Sequence, residues 1–228
     1  AVLSAMFNGQ NILDTANILN INGKDYYVLT VEVAPKYGNL AATITVNGEN
    51  QLFAYPCTED NTLFLYYDKS VIKDENVDTL DKLLDAAHAA GRKVHFKLND
   101  DGWYLSSFFF AIPELGYNVT YDDKMVEQAV SVNYNNAQGL AVMQALKNYV
   151  NHPALVIQTD DSKIIAGLTP DANGYVEVAA AVSGTWNAND IQGCLGENYA
   201  ACALPTFTVD GKTYQMSSFA GYELYGVN

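Results

Sequence analysis

A chain of 228 residues is long enough for one large domain or two small ones, and 49% apolar with 17% charged residues reads as a folded globular protein. The net charge of −14, with only 12 Lys and Arg, excludes a nucleic-acid-binding surface, because phosphate contacts need cations; the acidic groups are spread along the chain, as suits solubility. No run of about 18 apolar residues predicts a membrane-spanning helix, and no positively charged start with an apolar core is present, so an export signal is expected to be absent or already removed.

Residues 1–50 read apart from the rest, as an N-terminal extension with hairpin strands. Residues 1–19 carry no strong period, whereas 26–33 and 41–46 read as strands, and Asn47-Gly48 is a hairpin turn into 51–55. From about residue 51 strands and helices alternate. The stretch 62–67 is β-branched and aromatic, hence a strand. Asp78 is expected to cap a helix with Leu80, Leu83, Leu84 and Ala87 as its apolar stripe, ended by Gly91. Residues 94–98 form a short continuous apolar run, which suits a sheet covered by helices. Phe108, Phe109, Phe110 and Ile112 before Pro113 predict a buried helix beneath that sheet.

Asp122 or Asp123 is expected to open a short helical segment through Val132. Asn135 or Asn136 caps a longer helix with Leu140, Met143, Leu146 and Val150 as its buried stripe, closed by His152-Pro153. Residues 176–182 read as a strand, 187–191 as a helix start, and 199–204 as a strand ended by Pro205. These elements predict an α/β fold, with a mixed or mainly parallel sheet flanked by helices over 51–228. Asn22-Gly23-Lys24-Asp25-Tyr26 echoes Asp210-Gly211-Lys212-Thr213-Tyr214, which reads as two independent hairpins with similar turn chemistry rather than a true repeat.

Trp103 and Trp186, the two tryptophans, each follow an apolar strand. Either each indole packs in the core with its N–H on a carbonyl, or each is a flat platform for a ligand with one apolar face and a hydroxyl-rich rim, such as a sugar. Asp100 and Asp101 stand beside Trp103 and Tyr104, and Glu59 and Asp60 lie in a polar loop over 55–62. Carboxylates offer about four acceptor sites each to sugar hydroxyls. A glycoside hydrolase using two of Glu59, Asp100 and Asp101 is the catalytic alternative, and it needs two carboxyls about 5–10 Å apart. Nucleophile-elbow, phosphate-loop and zinc-protease motifs are absent, so binding without catalysis is the expectation. His88, His95 and His152 are scattered, so neither a metal site nor a cofactor is expected. Cys194 and Cys202 are close enough for a small disulfide loop that leaves Cys57 over; two buried thiols and one free thiol is the other reading.

Four segments in order resemble the extracellular solute-binding proteins of bacterial ABC sugar importers, the maltose- and maltodextrin-binding group. Leu52-Phe53-Ala54-Tyr55-Pro56 followed by Asp60 to Lys69 is similar to its Tyr-Pro turn, acidic loop and Tyr-Asn-Lys strand end. Thr79-Leu80-Asp81-Lys82-Leu83 is similar to its Thr-Trp-Glu-Glu-Leu helix, with Leu80 in place of Trp. Ser183-Gly184-Thr185-Trp186 resembles its Asn-Gly-Pro-Trp loop, and Leu204-Pro205-Thr206-Phe207 with Phe219-Ala220-Gly221 its Leu-Pro and hinge strands.

The resemblance implies a periplasmic-binding-protein-like lobe over 51–228 with hinge-proximal strands, essentially the family's second lobe. It is either a shortened chain or a natural one-lobe relative, with residues 1–50 unplaced. It further implies a non-catalytic carbohydrate-binding protein that binds an oligosaccharide, with Glu59, Asp60, Asp100 and Asp101 as polar contacts and Trp103, Tyr104 and Trp186 as stacking groups. One extra residue between Asn61 and Tyr67 leaves Glu59 and Asp60 as alternatives. An ABC permease partner and an extracellular or periplasmic, membrane-anchored lipoprotein are also implied. A surface adhesion or scaffold domain, with the aromatics in the core and 1–50 making the contact, is the remaining alternative.

Overall fold

The computed structural model describes backbone and side chains over 61–98, 102–122, 127–157 and 160–219, and strands without side chains within 1–60 and 220–228. Two units emerge: Ala1–Pro56 with Leu224–Asn228, and Cys57–Glu223. The first holds β1 (Met6–Phe7) paired with β2 (Gln10–Asn11), and β3 (Asn17–Ile21) antiparallel to β4 (Lys24–Val28), with Ile21 opposite Lys24. In the same unit β5 (Ala42–Val46) pairs with the start of β6 (Glu49–Asp60), Val46 opposite Glu49. Residues 55–60, expected in a loop, thus continue a strand. The break falls instead at Asn61, whose φ of 64° suits a short polar side chain that tolerates the left-handed region.

In the second unit the order continues β7 (Leu63–Asp68), α1 (Leu80–Ala89), β8 (Lys93–Phe96), α2 (Gly102–Phe109), β9 (Tyr117–Tyr121), β10 (Glu127–Val132) and α3 (Ala137–Val150). Then come β11 (Leu155–Ile157), α4 (Asp161–Leu168), β12 (Val178–Gly184), α5 (Ala188–Leu195), β13 (Tyr199–Cys202), β14 (Thr206–Val209) and β15 (Lys212–Gln215), and last β16 (Gly221–Tyr225), which runs across the boundary of the two units. A five-stranded sheet runs β11-β8-β12-β7-β13, with β11, β8 and β12 parallel and β7 antiparallel to both β12 and β13. The sheet is mixed. β12 is buried at all seven positions, as expected of a central strand with helices on both faces.

Alternation along β7 sends Leu63, Leu65 and Tyr67 to one cluster and Phe64 and Tyr66 to the other. The first cluster lies under α1, α2, α3 and the β14–β15 hairpin; the second lies under α4 and α5. The same alternation disposes of the disulfide. Cys202 packs on the first cluster and Cys194 on the second, so the sheet separates two free thiols. Cys57 lies outside the residues whose side chains are described.

The helix caps follow local chemistry. Thr79, not Asp78, caps α1, its Oγ1 accepting from the Lys82 N–H at 3.2 Å, while Asp78 pairs with the Lys82 ammonium at 2.7 Å. Extended backbone at Thr79 aims its hydroxyl at the first turn; Asp78 is one residue too early. Gly91, at φ 66°, ends the helix: its N–H meets the His88 carbonyl and the Arg92 N–H meets the Ala87 carbonyl, a Schellman arrangement. Asn136 caps α3, its Oδ1 accepting from the Gly139 N–H at 3.0 Å.

Two expectations are overturned. The helical segment expected from Asp122 or Asp123 through Val132 is a strand over 127–132, because β10 pairs antiparallel with β9, Val130 opposite Val119 and Val132 opposite Tyr117. β-branched and aromatic residues pack across strands at less loss of side-chain freedom than in a helix, and β10 has no buried stripe, since all six of its residues are exposed. (Asp123 itself lies outside the described residues.) α3 buries Leu146 as expected and packs Val150 half-buried on the core, but Gly139, Val142 and Tyr149 take the remaining buried positions, leaving Leu140 and Met143 exposed. Both stripes have helical spacing. Tyr149 decides between them, because its hydroxyl donates to Asp81 at 2.9 Å and accepts from the Thr208 N–H at 3.1 Å.

His95, in β8, is buried facing α4, where a Cβ on Gly167 would stand 3.2 Å from its Cε1. Desolvation lowers its pKa, opposed by the Glu177 charge. The folded protein therefore binds this proton less readily than the unfolded chain. The neutral-His contribution is fully present above about pH 6.5 and is lost as pH falls from there through the folded-state value. Thermal melts between pH 7.5 and 5 are expected to show a falling Tm, and a shallower fall in His95→Gln. Parallel profiles in the two proteins would place the loss elsewhere.

Candidate functional site

The ends of β8 and β12 and the start of α4 bring one set of side chains together. After β8 the chain passes through Lys97 and enters α2, whose first turn carries Trp103 and Tyr104. Trp103 is half-buried and stacks on Phe219, ring centroids 4.6 Å apart and planes at 21°. Tyr104 is 1% exposed, its ring edge-on to Phe96 at 6.5 Å and to Trp186 at 6.5 Å and 85°.

Trp186 sits in a 3-10 turn, Thr185–Asn187, directly after β12 and is 40% exposed. Three bonds fix that turn: the Thr185 N–H donates to the Thr62 carbonyl at 3.1 Å, Asn187 Nδ2 to Ser183 Oγ at 2.9 Å, and the Tyr66 hydroxyl to the Gly184 carbonyl at 3.1 Å. The indole lies against Gly184. A Cβ there would stand 2.0 Å from Cζ3, so only glycine lets the ring lie down.

Asn61, Lys97, Trp103, Tyr104 and Trp186 line one open depression of about 350 Å³. A carboxylate that sequence reasoning missed ties its wall together. Asp161, the first residue of α4, accepts from Trp186 Nε1 at 3.1 Å and lies 3.5 Å from the Tyr104 hydroxyl. Lys97 Nζ stands 3.9 Å from Asp161 Oδ1 and 5.4 Å over the Tyr104 ring. The sequence held a signal for this helix: Asp160-Asp161-Ser162 before the apolar Ile164, Ile165 and Leu168 is a helix start, and Asp160 does accept from the Ser162 N–H at 2.9 Å. Lys97 carried no comparable signal.

Of the expected site residues, Trp103, Tyr104 and Trp186 meet in this depression, Tyr104 within its wall. The side chains of Glu59 and Asp60, and all of Asp100 and Asp101, lie outside the described residues. A larger cleft of about 470 Å³ opens between α1, α3 and β14. Four of its polar side chains form structural pairs, Tyr149 with Asp81 and His152 with Asp85. Among the described residues no group of three or more His, Cys, Asp or Glu could hold a metal ion, and no helix is long and apolar enough to cross a membrane. An aromatic platform rimmed by a carboxylate, an ammonium and an amide can bind a polyhydroxylated ring without chemistry.

Residues 10–228 match the family model for bacterial extracellular solute-binding proteins. The chain belongs to that family. Among solved structures, the solute-binding chain resembles one with acarbose at 29% identity and TM-score 0.62, over 85% of this chain and 48% of that one. It resembles the maltodextrin-binding protein of L. casei BL23 without ligand at 25% identity and TM-score 0.59, over 81% and 44%. A third, an extracellular solute-binding protein from Staphylococcus aureus in complex with maltose, shares the fold at 20% identity and TM-score 0.56, over 80% and 46%. The chain thus spans about half the length of these structures. Comparison with curated proteins finds no match. The solute-binding family and the α/β, periplasmic-binding-protein-like lobe are those the sequence segments resembled, and the family is one of binding proteins acting outside the cell.

Proposed function

We propose that this chain binds an oligosaccharide of the maltodextrin type as part of an ABC-type uptake system, without catalysis. One observation carries the reading: Trp103, Tyr104 and Trp186, contributed by two separate elements, share a single open depression with a charged and amide rim. An exposed indole offers the apolar face of a sugar a partner, and the rim offers its hydroxyls donors and acceptors. The relatives solved with acarbose and with maltose supply the ligand class. Asp60 directly precedes the lining residue Asn61, and Asp100 and Asp101 lie in the chain between Lys97 and Trp103; with Glu59 they are the further hydroxyl acceptors of this proposal. A membrane permease is the partner such a system requires, and a membrane anchor would keep the binding protein beside it.

Titration with maltose, maltotriose and acarbose, followed by calorimetry and by tryptophan emission, tests the reading. Saturable heat with a shift in emission is expected. No heat with any of the three, or release of reducing sugar from maltotriose, would overturn it.

A further inference from the structure

We propose that Asp161 is a positioning residue that holds the Trp186 indole in a binding-ready orientation before any ligand arrives, an inference that rests on the sugar-binding reading above. Trp186 projects from a short turn and is substantially exposed, so little core packing fixes its ring. Three neighbours restrain it. Gly184 closes one face, the Tyr104 ring meets it edge-on, and Asp161 Oδ2 accepts from Nε1 at 3.1 Å. Of these only the carboxylate bond is directional: a ring turned over in the same slot would lose it.

The carboxylate is itself held. It stands at the first position of α4, where unpaired N–H groups favour an anion, and Lys97 and the Tyr104 hydroxyl approach the other oxygen. One side chain thereby links Trp186, Tyr104 and Lys97, three of the residues lining the depression. Asp161 acts through the indole. A ring held in place in the free protein spares the complex the loss of side-chain freedom that ordering it on binding would bring.

The two tryptophans make this testable in the absence of ligand, because the full chain has two indole N–H resonances in a ¹H–¹⁵N spectrum, assigned with Trp103→Phe. In Asp161→Leu the Trp186 resonance is expected to move upfield and exchange faster with water while that of Trp103 stays. Maltotriose affinity is expected to fall roughly tenfold or more. Asp161→Asn keeps an acceptor for the indole and is expected to hold the resonance and the affinity within about threefold of wild type. Asp161→Ala replaces the leucine variant if that does not fold. An unmoved Trp186 resonance in the leucine or alanine variant, or equal losses of affinity in the asparagine and leucine variants, would overturn the positioning role. A wild-type chain that binds no sugar but whose Trp186 resonance moves on loss of the carboxylate would sink the sugar reading and leave the positioning role standing.

Discussion

Trp186→Ala is expected to weaken maltodextrin binding about 30-fold or more while leaving the fold intact. The ring belongs to neither core cluster and is 40% exposed, so its removal opens no sealed cavity. The turn that carries it is held by backbone and polar bonds through Thr185, Asn187 and Tyr66, none of which needs the indole. What disappears is the exposed aromatic face of the depression, and a buried Trp anchor in an interface is typically worth 2 kcal/mol or more, about 30-fold in affinity. Calorimetric titration with maltotriose reads the loss, and a urea melt reads the fold. An affinity within about twofold of wild type would show that the sugar does not stack on this residue.

The opposite signature is expected at Phe108, where alanine should lower unfolding free energy by about 3–5 kcal/mol. Phe108 is fully buried in the middle of α2, its ring 5.5 Å from Phe96 on β8 and 4.9 Å edge-on from Phe207 on β14. It binds the helix to the sheet and to the hairpin at once. Because α2 also carries Trp103 and Tyr104, loosening it disturbs one wall of the depression, so binding is expected to weaken as well. Urea unfolding followed by far-UV circular dichroism measures the stability change. A loss below about 1.5 kcal/mol would mean that neighbouring rings close the gap. Together the two variants separate a residue that serves the ligand from one that serves the scaffold.

Much of the scaffold is legible in local chemistry. The run of β7 alternates so that both its faces meet apolar partners, and β12 is small throughout and apolar apart from Ser183 because helices cover it on both sides. Gly91 announces the end of α1 because only glycine takes that positive φ at ease. The turn Asp210-Gly211, with φ of 49° and 75°, closes the β14–β15 hairpin, as its resemblance to Asn22-Gly23 between β3 and β4 suggested. Both indoles directly following strand-and-polar segments were visible in the same way. Less legible was the choice between equally periodic stripes on α3, since Leu140 and Met143 satisfy the spacing as well as Val142 and Tyr149 do. The β9–β10 hairpin escaped because it buries no face, which removes the period that would mark it.

By itself, then, the sequence determined the α/β alternation, the end of α1 at Gly91, the cap of α3 at Asn136 and the order of segments that mark a solute-binding lobe, because these depend on residues close together in the chain. Tertiary structure alone decided which face of α3 turns inward, that the sheet keeps Cys194 from Cys202, and that Asp161 meets Trp186 across 25 positions. The reason is physical: a hydrogen bond between an indole and a carboxylate has no period and no spacing. It exists only once the sheet has brought the end of β12 beside the start of α4.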